Sequence, residues 1–276
     1  MTENKLFHIM LQEYPHIIDA HAHVYPEKIA AKAAASIGEF YRIKPQGKGT
    51  VLDLLDAGNK AGIHRFLVSS AALTPNQVKP INNFIASVCS DHPELIGFGT
   101  IHPDLADANE EIDRMIERGL RGVKIHPDCQ KVYIDAPSFL PIYKKLEGRL
   151  PVLFHVGDQR VDFSDPMRLV RILQSFPQLT VIAAHLGAYS IWKEQGDILL
   201  GRNLYLDTSS TLMHLEKEEA VEVIRRHGAD KVLFGTDYPM WSHGEELQRF
   251  LELGLTAEEN RQILWGNLER LLSLPR

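Results

Sequence analysis

The sequence predicts a single-domain (β/α)8 barrel, the TIM-barrel fold class, from three observations. The chain has 276 residues, and such a barrel takes about 250. Eight short apolar segments alternate with longer segments of helical periodicity, a pattern typical of parallel strands joined by crossover helices. Residues 19–23, after the first apolar segment, read Asp-Ala-His-Ala-His. Because a dinucleotide-binding sheet needs G-x-G-x-x-G there, an open Rossmann fold is excluded.

The eight predicted strands share a near-continuous hydrophobicity, as expected of strands that are buried on both faces. In chain order they are Ile17–Asp19 leading into His21, Ile63–Ser69, Leu95–Ile101, Gly122–Ile125, Pro151–His155, Thr180–His185, Asn203–Asp207 and Lys231–Asp237.

Amphipathic helices are predicted between these strands. Segments Ala106–Arg118 and Ala220–His227 place apolar residues on one face. The last helix begins with Thr256 and Glu259, which have the spacing of a capping box. The apolar stripe that follows contains Ile263, Leu264, Leu268 and Leu271.

One interval is longer than the rest. His21 and Ser70 are 49 residues apart, and the surplus predicts a long first βα loop at about residues 24–49. Loops of this length are usually functional or disordered, and in a barrel this one would lie on the catalytic face.

Composition excludes several classes of protein. With 30 basic and 36 acidic residues, the net charge is −6, and no basic cluster indicates a nucleic-acid partner. No apolar segment reaches the roughly 20 residues of a membrane span. Segment Met1–Gln12 lacks the features of a secretory signal. The only cysteines are Cys89 and Cys129, which suits a reducing cytoplasm, so we expect a cytoplasmic protein.

Histidines concentrate at the carboxyl ends of the predicted strands. Because active sites of barrel enzymes are built from these strand ends, the concentration indicates a catalytic face. Six of the 13 histidines lie there: His21, His23, His102, His126, His155 and His185.

Three of these histidines and one strand-end aspartate predict a metal site. His21 and His23 are two residues apart on a strand, so their side chains project to the same face. His155 ends the fifth strand and Asp237 ends the eighth. Three imidazoles and a carboxylate suit Zn²⁺ or a similar divalent ion, with room left for water or substrate.

The fourth strand has a lysine that needs an explanation. Lys124 and His126 share a face, and a lysine inside a barrel is costly unless it is paired or modified. It either pairs with a carboxylate, is carboxylated and bridges two metals, or contacts the substrate. Asp19 lies on the same face as His21 and is a candidate acceptor that supports the site or the fold, and Asp207 is a candidate to orient a histidine. Cys129 has no base nearby and is expected to be inert.

With these motifs the chain resembles the amidohydrolase superfamily, in particular its amidohydrolase-2 branch. The resemblance covers nearly the whole chain, and it depends on the order and spacing of the motifs. They are Ile18–His23, Gly122–Pro127, Phe154–Asp158, Ala184–Gly187, Leu204–Ser209, Phe234–Pro239 and Gly266–Leu272.

The resemblance implies a distorted barrel that holds one or two divalent ions, with Zn²⁺ as first choice and Mn²⁺ as second. His21, His23, His155 and Asp237 match its usual ligands. His185 matches a second-metal ligand of binuclear members and a catalytic histidine of mononuclear ones.

Two reactions follow from the resemblance. The first is hydrolysis of a small lactone, cyclic amide or ester, in which Asp237 accepts a proton from water and His185 either stabilises the oxyanion or orients the water. Lys124 and His126 would bind substrate. The alternative is non-oxidative decarboxylation of a small carboxylic acid, with Arg42, Lys44 or Arg160 as the cation for the acid group.

A Schiff-base lyase with Lys124 as nucleophile is a third reading, but it leaves the histidines unexplained. The expected partner is a small-molecule substrate, with no nucleic acid and no membrane, and a homo-oligomer is left open.

Overall fold

A computed structural model describes residues 14–274. The segment Met1–Gln12, on which the expectation about a secretory signal depends, lies outside the described residues. Within residues 14–274, none of the helices has both the length and the apolar character needed to cross a membrane.

All eight predicted strands are present, and they are parallel. They form one sheet in the order β1-β2-β3-β4-β5-β6-β7-β8, which confirms the (β/α)8 TIM-barrel fold class. The strands are β1 (Ile18–His23), β2 (Arg65–Ser69), β3 (Leu95–Thr100), β4 (Gly122–Ile125), β5 (Val152–Phe154), β6 (Val181–Ala183), β7 (Tyr205–Asp207) and β8 (Val232–Leu233).

Helices alternate with these strands as predicted, and Thr256 and Glu259 make both bonds of the capping box. The helices are α1 (Glu27–Tyr41), α2 (Val51–Lys60), α3 (Pro75–Asp91), α4 (Ala108–Glu117), α5 (Pro127–Gln130), α6 (Leu140–Leu146), α7 (Pro166–Ser175), α8 (Trp192–Gln195), α9 (Lys217–His227), α10 (His243–Glu252), α11 (Ala257–Arg261) and α12 (Asn267–Leu272). Residues Gln262–Gly266 form a π-helical turn between the last two.

The segment expected to be a long first loop, residues 24–49, is only partly a loop, because α1 occupies Glu27–Tyr41. Five alanines give this segment a high helix propensity. Its buried residues are Ala30, Ala34 and Gly38, which are spaced one turn apart and form a narrow buried stripe.

The described backbone divides into two compact units: residues 14–67 with 208–274, and residues 68–207. That residues 1–276 form one domain stays a prediction. In the first unit, β8 is shorter than predicted because the chain leaves regular strand geometry after Leu233. The segment still follows β1, since Ala20 N donates to Phe234 O at 2.8 Å and Asp237 N donates to His21 O at 2.8 Å.

In the second unit, the register of the parallel strands brings the histidine-bearing strand ends level. Thr100 pairs with Lys124, Lys124 with Leu153, and Leu153 with Ile182. His126 and His155 each lie two residues beyond a member of this row. The register therefore places these two histidines side by side.

Candidate metal centre

The first unit contains a cluster of two histidines and one aspartate, His21, His23 and Asp237, which we call the first cluster. Both histidines project from β1, with ring centroids 5.0 Å apart. Asp237 Oδ1 lies 3.6 Å from His21 Nε2 and 3.2 Å from His23 Nε2. Their donor atoms all lie within 4.8 Å of one another, so the predicted closeness of these three residues is observed.

Hydroxyl groups from the segment after β7 orient the first cluster. Ser209 Oγ lies 3.0 Å from His21 Nδ1, which turns Nε2 of that ring toward Asp237. Ser210 Oγ donates to Asp237 Oδ2 at 2.6 Å and accepts from Trp241 Nε1 at 2.8 Å. Neither serine was predicted as a site residue, although both lie shortly after a strand end, which is the signal that identified the histidines.

Backbone geometry also fixes Asp237. Its φ is +61° and that of Ser210 is +54°, a left-handed conformation that is uncommon for residues other than glycine and often occurs at functional sites. A Cβ at Gly235 would lie 2.9 Å from His21 Cβ, so only glycine lets this segment approach β1 so closely.

Asp19 anchors the same segment to β1. Its carboxylate accepts from His21 N at 2.9 Å, from Thr236 N at 3.0 Å and from Thr236 Oγ1 at 2.6 Å. Asp19 therefore accepts from the backbone of His21 and of Thr236.

The first cluster fits a divalent metal. Ligands of a tetrahedral Zn²⁺ ion are 2.0–2.1 Å from it and therefore about 3.3 Å from one another. The observed separations of 3.2 and 3.6 Å between Asp237 and the two histidines bracket that value. Two imidazole nitrogens and a carboxylate oxygen are also the ligand types that Zn²⁺ and similar ions prefer.

The second unit contains another cluster, built around the other two strand-end residues of the prediction. His155 Nδ1 and His185 Nε2 are 2.9 Å apart, and the ring of Tyr189 lies against both. Asp207 Oδ1 accepts from His185 N at 3.1 Å, so this aspartate holds the backbone of the histidine. His185 also has a positive φ, +61°.

A buried aspartate that the sequence analysis did not single out faces His155 on its other side. Asp128 Oδ2 lies 3.5 Å from His155 Nε2. Burial raises the pKa of Asp128 to about 7, against the lowering effect of its bonds from Ser164. Asp158 is also buried and forms an ion pair with Arg160. We call His155, His185, Asp128 and Asp158 the second cluster.

The two predicted substrate-binding residues belong to the second unit as well. The ring of His126 stacks on that of His155, with centroids 4.2 Å apart and planes 10° from parallel. Lys124 is 1% exposed within β4. The expectation that Cys129 has no base nearby is wrong, because its sulfur lies 3.6 Å from His126 Nε2. Burial raises the pKa of the Cys129 thiol to about 12, and its inertness stays a prediction.

The structure thus brings together His21, His23 and Asp237 in one unit, and His155 with His185 in the other. That His155 completes the ligand set of the first cluster stays a prediction. The same holds for the catalytic roles of Asp237 and His185 and for substrate binding by Lys124 and His126.

A family model described as amidohydrolase matches residues 18–274. A gamma-resorcylate decarboxylase from Polaromonas sp. (strain JS666 / ATCC BAA-500) is 25% identical over 125 residues, which are 38% of this chain and 37% of that protein.

A second relative is a 2-amino-3-carboxymuconate-6-semialdehyde decarboxylase from Dictyostelium discoideum, 26% identical over 238 residues. The match covers 70% of this chain and 66% of that protein, so this chain spans less than two thirds of the length of both relatives.

Among solved structures, a 5-carboxyvanillate decarboxylase from Novosphingobium aromaticivorans, complexed with manganese, has a TM-score of 0.76 at 17% identity. The alignment covers 95% of this chain and 97% of that one, and at this identity it shows the shared fold. Between the two reactions expected from the sequence, the relatives favour the alternative, decarboxylation, over hydrolysis.

Proposed function

This chain belongs to the amidohydrolase family, and we propose that it is a metal-dependent, non-oxidative decarboxylase of a small carboxylic acid. The observation that carries the proposal is the first cluster, whose donor atoms lie within 4.8 Å of one another. The choice of reaction is supported by the two curated relatives, both of which are named as decarboxylases.

We propose His21, His23, His155 and Asp237 as the residues that hold the ion. Zn²⁺ suits three imidazoles and a carboxylate, and the manganese in the related solved structure makes Mn²⁺ an equal candidate. A bound divalent ion acts as a Lewis acid on an oxygen of the substrate.

Decarboxylation requires a proton at the carbon that loses its carboxylate. The bond from that carbon to the carboxyl group breaks, CO₂ leaves, and a proton takes its place, so that R–CO₂⁻ and H⁺ give R–H and CO₂. We assign the proton transfer to Asp237, whose Oδ2 is held by Ser210 at 2.6 Å while Oδ1 faces the two histidines. His185 would stabilise the charge that develops on the substrate.

Binding of an anionic substrate needs a cation. Arg42 and Lys44 are exposed on the segment after α1, and Arg160 is exposed but tied to Asp158. We propose Arg42 and Lys44 as the residues that meet the acid group, because neither forms an ion pair within the described residues.

The test separates the two reactions by product. The chain, loaded with Zn²⁺ or Mn²⁺, is incubated with carboxyl-¹³C-labelled hydroxybenzoates, among them gamma-resorcylate and 5-carboxyvanillate. It is also incubated with a lactone that carries a ¹³C-labelled carboxylate. Release of ¹³CO₂ supports decarboxylation, whereas a ring-opened product that retains the label indicates hydrolysis.

Two variants make this test specific. Asp237→Asn keeps the shape of the side chain but cannot transfer the proton, so we expect CO₂ release to fall by at least about 100-fold. His64→Ala removes an exposed histidine that bonds only to Asn59 among the described contacts, and it should leave turnover unchanged. Equal turnover in wild type and Asp237→Asn would contradict the proposal.

A further inference from the structure

The buried carboxylate of Asp128 is the group for which the proposed reaction provides no role. Asp128 is 3% exposed and lies in α5, immediately after the His126-Pro127 pair. Ser164 fixes both of its oxygens, since Ser164 Oγ donates to Oδ2 at 2.6 Å and Ser164 N donates to Oδ1 at 3.2 Å. The carboxylate is therefore held rigidly from the segment that follows β5.

This fixed carboxylate faces one nitrogen of His155, and another histidine faces the other nitrogen. Asp128 Oδ2 lies 3.5 Å from His155 Nε2, which is within ion-pair range but longer than the roughly 2.7–3.2 Å of an ordinary N–H···O hydrogen bond. On the opposite side, His155 Nδ1 lies 2.9 Å from His185 Nε2. The stacked ring of His126, 4.2 Å away, restricts rotation of the imidazole between them.

The two nitrogens of a neutral imidazole have different roles, one as a donor and the other as an acceptor. An ionised carboxylate only accepts, so the favourable arrangement has the proton of His155 on Nε2, toward Asp128. Nδ1 then carries the lone pair, and in the contact with His185 it is His185 Nε2 that donates.

We propose that Asp128 is a positioning residue that holds the proton of His155 on Nε2 and so makes Nδ1 the metal-binding nitrogen. Carboxylate partners of this kind fix the tautomer and the orientation of ligating histidines and raise their basicity. The inference rests on the proposed function in that it takes His155 to be a metal ligand.

Asp158, the other buried carboxylate of the second cluster, is less suited to this role. Its Oδ1 accepts from Arg160 N at 2.9 Å and from Arg160 Nε at 2.8 Å, and Arg160 Nη2 donates to its Oδ2. Since both oxygens are bound by a guanidinium, the charge of Asp158 is already compensated. Asp128 has no such partner among its described bonds, which come from Ser164.

The direct test is the tautomer of His155 in the full-length protein. Long-range ¹H–¹⁵N spectra are recorded at pH 8 on protein labelled with ¹⁵N-histidine, before and after Zn²⁺ is added, and His155→Gln assigns the signal. In the wild type we expect Nε2 to carry the proton and Nδ1 to show the shift of an unprotonated nitrogen, which changes when Zn²⁺ is added.

The informative variant is Asp128→Asn. Ser164 N still donates to the amide oxygen, so the amide NH₂ takes the place of Oδ2 and faces His155. A donor at this position requires an acceptor on His155, and we expect the proton to move to Nδ1. The affinity for Zn²⁺, measured by chelator competition, should fall about 10–100-fold.

Two further variants separate positioning from general damage. Glu111→Gln changes another buried carboxylate, one that pairs with Arg114 at 2.6 Å and contacts no histidine in the described bonds; it should leave both the tautomer and the affinity unchanged. Ser164→Ala releases one anchor but keeps the charge, so the wild-type tautomer should persist with a smaller loss of affinity.

Three outcomes decide the proposal. An unchanged tautomer in Asp128→Asn overturns it. Loss of a whole equivalent of Zn²⁺ in that variant, with the tautomer unchanged, also overturns it, because Asp128 would then be a ligand. If the wild type binds neither Zn²⁺ nor Mn²⁺ while Asp128→Asn still moves the proton, the proposed function fails and the positioning of His155 by Asp128 is supported.

Discussion

His21 and His155 are each oriented through the ring nitrogen opposite the proposed metal ligand atom, but by different groups. Ser209 Oγ lies beside His21 Nδ1 at 3.0 Å, and a hydroxyl can donate or accept, so it orients the ring without choosing a tautomer. An ionised carboxylate only accepts, so Asp128 is proposed both to orient the ring of His155 and to select its tautomer. The two sites should therefore respond differently when the partner is removed.

Ser209→Ala tests this contact at His21. The variant loses the hydroxyl that holds a ring buried to 0% exposure, and we expect the affinity for Zn²⁺ to fall about tenfold. Chelator competition measures the affinity. Ser175→Ala, at an exposed serine that bonds only to Arg171 O in the described contacts, is the matched control. Equal affinities of the two variants would show that the hydroxyl does not position His21.

At the residue scale, the proposed metal-binding residues could be predicted from the sequence better than the side chains that orient them. His21, His23 and Asp237 could be found because histidine is infrequent and the period of a strand places its residues on known faces. Ser209 contacts His21 across 188 positions of the chain, and Asp128 contacts His155 across a helix and a strand. Serine and aspartate are common surface residues, so their type alone carries little information.

At the scale of elements, periodicity located every strand, and the differences arise where local conformation departs from regular geometry. β8 ends early because Gly235 and Asp237 turn the chain close against β1. Near the C-terminus, the predicted apolar stripe is shifted, since Leu272 is buried and Leu271 is only partly so. Leu264, Leu268 and Leu272 are all buried and lie four residues apart, so the buried face continues through Leu272.

Helix α10 contains a buried glutamate whose ionisation should destabilise the fold. Burial raises the pKa of Glu246 to about 7, from an ordinary value of 4.5, although Arg249 opposes the shift. Because the folded protein then binds the proton more tightly than the unfolded chain, its stability should decrease as pH rises from about 4.5 to about 7 and change little above that range. A shift of this size corresponds to up to about 3 kcal/mol.

Glu246→Gln removes this ionisation. The free energy of unfolding is measured in denaturant at pH 5 and pH 8 with chelator present. The variant should gain stability relative to the wild type, and this gain should be larger at pH 8 than at pH 5. Glu245→Gln is the control, because Glu245 is exposed and pairs with the same Arg249 at 3.4 Å. A pH dependence in Glu246→Gln that equals the wild type's would be inconsistent with a buried, ionising Glu246.

At the scale of the whole molecule, we expect metal binding and folding to be coupled. In the first cluster, His21 and His23 lie in β1, whereas Asp237 follows β8, so an unfolded chain would not keep them together. A ligand that binds only the folded protein stabilises it by about 2.7 kcal/mol at 100 times its dissociation constant. For 276 residues, that corresponds to a rise of about 5 °C in the unfolding midpoint.

Removal and return of the metal should therefore move the unfolding temperature reversibly. Calorimetry on chelator-treated protein, repeated at saturating Zn²⁺, should give the rise of about 5 °C in the wild type and little or none in His21→Ala. His64→Ala, which removes an exposed histidine, should respond as the wild type does. An equal response in His21→Ala would place the ion elsewhere, and a response in none of the three proteins would remove the physical basis for metal-dependent decarboxylation in this chain.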